Sequence, residues 1–281
     1  MLVVGGSLAA PSCSSHGATA HAAWWQPPGG TIGWQWELDH RLNLNSAADL
    51  GIGSTTYRGQ PASRPAVFDI DGFDNPATTV RALHRAGARV ICYIEVGAAE
   101  RYRPDYRRFP GPVLGRPVPG YPGERYLNIN SPAVMTIIKA RITMCAWKGF
   151  DAVEPDIDDS YTDSTGFRIT EADNIAYDTG LAHYAHQLGL AWGLKNGDIP
   201  GFAARMLPHV DFALDEQCFR YRTCGAFYPS FARAHKAVFE VEYSDQGEPA
   251  PRAYCPQAIR YGFDSVQFDS ALDGKVRVPC S

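Results

Sequence analysis

One pattern recurs along the chain and restricts its fold more than any other. A short apolar run ends in polar or acidic residues, a loop follows, and then comes a stretch with helical spacing. "PAVFDIDGFD" is such a run, and "NPATTVRALHRAG" after it repeats apolar residues at helical intervals and stops at a glycine. The runs "ARVICYIEVG", "FDAVEPD", "LAWGLKN", "DFALDEQ", "AVFEVEY" and "FDSVQFD" repeat the theme. Between them lie helical stretches such as "SPAVMTIIKARITMCAWKG", with Ser131 as N-cap and Pro132 in the first turn, and "TEADNIAYDTGLAHYAHQLG", opened by Thr170. An early strand in "TIGWQWEL" brings the strands to eight. Continuously apolar strands separated by helices form a parallel sheet covered on both faces. Eight such units predict an α/β fold, a single (β/α)8 TIM barrel, and the 281 residues suit one such domain. A doubly wound open sheet is the alternative, but no G-x-G-x-x-G follows a strand. The Pro- and Gly-rich "RPDYRRFPGPVLGRPVPGYPGE" reads as a long loop after the third strand.

In such a barrel the C-terminal strand ends form the active-site rim. Those ends are rich in acid: Asp69, Asp71 and Asp74 on strand 2, Glu95 beside Tyr93 on strand 3, and Glu154 and Asp156 on strand 4. Strand 5 ends in Lys195 and Asn196, strand 6 in Asp215 and Glu216, strand 7 in Glu240, Glu242 and Tyr243, and strand 8 in Gln267 and Asp269. Each acid has an ordinary structural reading. Asp69 and Asp71 can cap the next helix or pair with an Arg, Glu95 can pair with Lys195, and Asp158 and Asp159 can be loop acids or caps. Their recurrence is harder to explain so, because buried unpaired carboxylates are costly. A mouth that binds a cation or performs acid–base chemistry explains it. No His accompanies the acids at the strand ends, so no metal is assigned, and no cofactor is called for. No G-x-S-x-G elbow supports a serine hydrolase. Paired carboxylates in different environments are what glycoside hydrolysis requires. Strands 4 and 6 can face each other across a barrel mouth, which makes Asp156 and Glu216 natural partners. Trp34, Trp36, Tyr93, Tyr161 and Tyr243 fall near the rim as sugar platforms.

The N-terminal "MLVVGGSLAAPSCSSHGATAHAA" has the apolar start and Ala triplets of a secretory leader, without its positive n-region. Residues 1–23 are therefore read as leader and 24–281 as the catalytic barrel. Export fits the cysteines. The expected disulfides are Cys218–Cys224 and Cys255–Cys280, while Cys92 and Cys145, inside apolar stretches, are expected as buried free thiols. A formal net charge of −4 gives no footprint for nucleic acid, and no run approaches the length of a membrane span. A monomer is expected.

Several strings, in order, resemble one family: "VFDIDGFD", "RVICYIEVGAAERYRPD", "FPGPVLG", "YPGERYLNI", "GFDAVEPDIDDSY", "TGFRIT", "GLKN", "DEQCFRYRTCG" and "VFEVEY". From about Trp34 to Cys280 the chain resembles glycoside hydrolase family 114, the endo-α-1,4-polygalactosaminidase-like barrels. The resemblance implies an exported hydrolase of α-1,4-linked galactosamine polymers, with Asp156 as nucleophile or charge stabiliser and Glu216 as general acid/base. It implies subsites lined by Asp69, Asp71, Tyr93, Glu154, Asp159, Tyr161, Lys195, Asn196, Glu242 and Tyr243. Galactosamine units carry ammonium groups, and an acidic mouth concentrates such a polymer. The alternatives are a non-catalytic carbohydrate-binding barrel or a glycosidase of another amino-sugar polysaccharide. The family reads "EPDN", an apolar residue, then Asp. Here Ile157 and Asp158 stand in the two places after "EPD", and Asn128 replaces the Asp of the family's "LDI".

Overall fold

The structure is a computed structural model that describes residues 23–199 and 201–281. Only Ala23 of the proposed leader falls within it. Eight parallel strands follow the eight apolar runs: β1 (Trp34–Glu37), β2 (Val67–Asp71), β3 (Arg89–Glu95), β4 (Ala152–Asp156), β5 (Ala191–Lys195), β6 (Phe212–Glu216), β7 (Ala237–Tyr243) and β8 (Asp264–Phe268). They pair in chain order into one curled sheet. Among the described residues no backbone ladder joins β8 to β1. Side chains close that seam. Asp264 Oδ2 accepts from the backbone N–H groups of Ile32 and Gly33 at 3.0 and 2.8 Å. The Trp34 indole donates to the Asp264 carbonyl at 2.9 Å, and Arg277 donates to the Trp34 carbonyl at 2.9 and 3.1 Å. A short strand, Val278–Pro279, adds antiparallel to β8 beside the seam.

Strand parity divides the core in two. Trp34, Val67, Ile91, Ala152, Phe212, Phe239 and Val266 belong to the cluster that fills the barrel. Their strand neighbours Phe68, Val90, Val153, Ala213 and Val238 belong to a second cluster with the helices. Alternate residues of a strand point to opposite faces, and in this sheet both faces are apolar. Helices cover the outside, among them α1 (Ala77–Arg85), α2 (Pro132–Lys148) and α3 (Glu171–Gln187). Helix α3 starts at Thr170 with a capping box: Thr170 Oγ1 accepts from Asp173 N at 3.2 Å, and Asp173 Oδ2 accepts from Thr170 N at 2.8 Å. Helix α2 starts at Ser131 with Pro132 in the first turn, and ends on Gly149 at φ 89°. The base of the barrel is sealed by Trp24, whose indole donates to Asp211 at 3.0 Å and stacks on His186 at 4.0 Å.

Two expectations need correction. Cys92 and Cys145 are joined, not free, and this third disulfide ties β3 to α2 alongside Cys218–Cys224 and Cys255–Cys280. Cys92 has outward parity, and its Cα lies 6.0 Å from that of Cys145 on the covering helix. An apolar setting alone does not distinguish a buried thiol from a buried disulfide. The stretch read as a long loop contains most of a three-stranded antiparallel sheet, Ala98–Glu100, Leu114–Val118 and Tyr121–Leu127, with the last strand central. Pro117 lies on an edge strand with a register shift beside it, and Arg125 donates to the carbonyls of Gly115 and Leu114 at 2.8 and 3.1 Å. Proline punctuation hid the strands, and a side chain supplies bonds the ladder lacks.

Candidate active site

A cavity of about 550 Å³ opens at the C-terminal ends of the barrel strands. Six of the residues expected at the site line it: Tyr93, Asp156, Lys195, Asn196, Glu216 and Tyr243. Lys195, buried at the end of β5, is their hub. Its Nζ lies 2.9 Å from Glu154 Oε1 and 3.1 Å from both Asp156 Oδ1 and Glu216 Oε2. It also sits 5.1 Å from the Trp36 ring centroid. Burial works against the ammonium, but the charges of Asp156, Glu154 and Glu216 outweigh it and hold the pKa well above the usual lysine value. The structural alternative for Glu95, a pair with Lys195, is not formed, because Lys195 serves these three acids instead.

Asp156 ends β4. Its Oδ2 accepts from the Tyr93 hydroxyl at 2.8 Å, and its Oδ1 from Lys195 and from Ile157 N, both at 3.1 Å. Burial pushes its pKa up, but the Lys195 ammonium and these hydrogen bonds win and hold it below the usual carboxylate value. The Asp156 carbonyl is fixed as well, accepting from Val96 N and Gly97 N at 3.0 and 3.3 Å. A Cβ on Gly97 would come within 2.0 Å of the Ile157 carbonyl oxygen, so only glycine permits this approach. Ile157 takes φ 54°, a left-handed conformation that is strained for a β-branched residue and easier for the family's Asn. Across the mouth, Glu216 ends β6. Its Oε1 accepts from the Tyr243 hydroxyl and its Oε2 from Asn196 Nδ2 at 3.0 Å, while its own N–H donates to Asn196 Oδ1 at 2.9 Å.

Glu154 and Asp69 lie beneath the cavity. The Trp36 indole donates to Glu154 Oε2 at 3.1 Å. With no other donor in reach of Asp69, the two carboxyls share a hydrogen bond. Burial and the Glu154 charge push Asp69 well above the carboxylate range, so the proton rests on Asp69. Asp71 is held by Arg103 through both guanidinium nitrogens and caps the turn by accepting from Phe73 N and Asp74 N at 2.8 and 2.7 Å. Its oxygens are therefore engaged by the protein itself, and Asp71 does not line the cavity. Asp159 stands in the loop after β4, where burial and the Asp163 and Asp156 charges push its carboxyl up to about 7. Tyr161 packs on Phe202 at 5.5 Å. Glu242 has outward parity and accepts from Phe219 N and Arg220 N at 2.8 and 3.3 Å. Asp215 and Glu240 also face outward; Asp215 accepts from the Tyr228 hydroxyl at 2.8 Å and Glu240 accepts from Ser265. Within a strand, adjacent residues such as Glu242 and Tyr243 point to opposite faces, so the acid count at the rim is about half of that read along the strand ends.

Further lining residues come from places the strand-end reading did not reach. Tyr121 and Glu124 enter from the inserted sheet, Tyr102 from the loop after its first strand, and Gln217, Gln246 and Leu272 from loops after β6, β7 and β8. Among the described residues, Cys218, Cys224 and Glu240 form the single cluster with metal-ligand spacing. Its two sulfurs are joined to each other and so offer no thiolate.

Glu95, Asp158, Asp215 and Glu240 are buried, and each leaves one carboxyl oxygen without a hydrogen bond. Burial, reinforced by neighbouring acids, pushes all four well above the usual range. Each group binds its proton more tightly folded than unfolded. The stability it contributes is fully present below about pH 4 and lost as pH rises toward the folded value. Asp156, with its depressed pKa, contributes the opposite way and matters only below about pH 4. The melting temperature is therefore expected to fall steadily from pH 5 to pH 8. A scanning-calorimetry series that is flat or rises over that range contradicts the protonated-acid assignment.

The comparisons agree with this fold. The family model for "Glycoside-hydrolase family GH114" matches residues 14–281. The crystal structure of Aspergillus fumigatus Ega3 in complex with galactosamine is 32% identical, with a TM-score of 0.78, and the match covers 92% of this chain and 99% of that one. The glycoside hydrolase domain of PelA from Pseudomonas aeruginosa is 13% identical with a TM-score of 0.59 over 87% and 97% of the two chains, which shows the shared fold. No match was found among the curated proteins. An acid pair at the mouth of a (β/α)8 barrel and a family match over nearly the whole length lead to one conclusion: this chain belongs to glycoside-hydrolase family GH114.

Proposed function

We propose that the protein is an exported, endo-acting hydrolase of α-1,4-linked galactosamine polymers, with residues 1–23 as export leader and 24–281 as catalytic barrel. Asp156 is the nucleophile and Glu216 the general acid/base. The observation that carries the reading is the shared ammonium: Lys195 Nζ stands 3.1 Å from one oxygen of each acid. Those oxygens are at most twice that distance apart. Two acids held this close by one ammonium suit the roughly 5–5.5 Å carboxyl separation of retaining enzymes better than the roughly 6.5–9.5 Å of inverting ones. Asp156, kept ionised, attacks the anomeric carbon while Glu216 gives its proton to the departing glycosidic oxygen. Glu216 then takes a proton from the water that opens the glycosyl–Asp156 ester. Tyr93, Tyr243 and Asn196 hold the two carboxyls in place.

A galactosamine-type substrate is supported by the likeness to Ega3, whose crystal structure contains galactosamine, and by the acid-lined cavity. Three disulfides and the Ala-rich leader support export. The test is release of reducing ends from defined α-1,4-galactosamine oligomers, with the first product read by proton NMR. The α anomer is expected. A β anomer overturns the retaining mechanism, and cleavage confined to a different amino-sugar polymer overturns the substrate.

A further inference from the structure

Two acids of the cavity wall stand without a partner. Glu95 ends β3, lines the cavity and is only 3% exposed, yet its Oε2 takes no hydrogen bond. Glu124, on the central strand of the inserted sheet, lines the same side, and among the described residues no hydrogen bond or ion pair reaches its carboxylate. The nearby cations are engaged elsewhere. Arg103 is taken by Asp71 and Glu100. Arg141 is taken by Glu100, Asp105 and the backbone carbonyl of Glu95. A buried carboxyl facing a cavity with no protein partner is a group kept for a ligand, because leaving it unpaired is costly. Tyr121, 61% exposed on the same inserted strand, places an aromatic face at the entrance. The opposite wall, built from the loops after β7, β8 and β1, presents Gln246, Ser270 and Leu272 to the cavity. Its one acid there, Asp39, is exposed and lies 3.5 Å from His40.

We infer that Glu95 and Glu124 form an ammonium-binding subsite on one side of the catalytic pair, so that the sugar seated against the inserted sheet must carry a free amino group. The sugar across Asp156 and Glu216 meets the wall of Gln246, Ser270 and Leu272, whose one acid, Asp39, is solvent-exposed rather than buried and unpaired, and tolerates an N-acetyl group. The protein is thus an asymmetric reader of partly acetylated chains. This inference rests on the proposed galactosaminidase activity and adds position-specific selection to it. An ammonium donates to Glu124 and Glu95 and takes the place of the missing protein cation. A neutral acetamide offers one N–H and a methyl group, and leaves the carboxyls unpaired.

Acid should weaken the selection. Glu124 faces Glu100, Asp156 and Arg103. Burial, then the two acids, push its carboxyl up to about 7 against the pull of Arg103. Glu95 faces Asp156, Glu100, Glu124 and Arg141, and is also pushed up, first by burial. An incoming ammonium must displace those protons, so discrimination falls as pH drops below about 7.

The experiment is digestion of a partly N-acetylated α-1,4-galactosaminan by the full-length enzyme, with isotopic labelling of new reducing ends and mass-spectrometric sequencing of both new termini. One terminus is expected to be galactosamine over its acetylated form by at least about tenfold, the effect of one charge-assisted hydrogen bond. The other terminus is expected to be mixed. Glu124→Gln, with an unchanged melting temperature, should remove most of that bias. Glu95→Gln should do the same, and lowering the pH from 7.5 to 5 should reduce it in the wild type. Mixed residues at both termini, equal selection at both, or an unchanged bias in Glu124→Gln overturns the subsite while leaving the galactosaminidase reading intact. No cleavage of any galactosamine polymer overturns both.

Discussion

Asp156→Asn and Glu216→Gln are each expected to lower kcat/KM on galactosamine oligomers by about 10³-fold or more while leaving the melting temperature nearly unchanged. The amides keep the volume and most hydrogen bonds. An Asn at 156 still accepts from Lys195 through its amide oxygen and turns its amide nitrogen to donate to the Tyr93 hydroxyl, and a Gln at 216 still meets Asn196. What is lost is a nucleophilic carboxylate in one case and a transferable proton in the other. The two losses are separable. An aryl galactosaminide, whose leaving group needs no proton, should restore bond cleavage in Glu216→Gln and leave Asp156→Asn inactive. The reverse pattern exchanges the two roles. Full activity of either variant on the polymer sinks the pair.

Lys195→Met is expected to have the second largest effect, a fall in kcat/KM of about 10²-fold with the acid limb of the pH profile displaced upward. Asp156 keeps its depressed pKa against burial chiefly through the Lys195 ammonium. Without that charge, Asp156 protonates at higher pH and the nucleophile is lost sooner as pH falls. Glu154, buried and already pushed up by burial, loses the cation that opposes this and takes up a proton. Removing the cluster's single cation leaves its acids without a counter-charge and costs about 3–5 kcal/mol, whereas losing one acid leaves Lys195 paired with the other two, so melting should fall here as well. A profile whose acid limb does not move would show that Lys195 only supports packing.

The eight strands were legible because each is a local event: an apolar run, a loop, an amphipathic stretch and a cap. Thr170 and Ser131 open their helices where the sequence places them. Asp156, Glu216, Tyr93, Lys195, Asn196 and Tyr243 were legible as strand-end residues and do meet at one cavity. Glu242, Asp215 and Glu240 were not separable from them, because both faces of this sheet are apolar and the runs do not announce which parity is inside. Glu124 and Tyr121 were hidden for a different reason. Their strand is interrupted by Pro122 and Gly123, and its register is completed by an arginine side chain rather than by a regular ladder.

By itself the sequence determined the alternation of strands and helices, the acids at the strand ends and the family that carries them. These depend on residues close together along the chain, whose spacing and chemistry act locally. Tertiary structure alone decided that Cys92 meets Cys145, that one ammonium serves Glu154, Asp156 and Glu216, and that the inserted sheet brings Glu124 beside Glu95. Those contacts join residues tens of positions apart. They exist because the curl of the sheet fixes which side chains share its interior and which cross-strand neighbours they find.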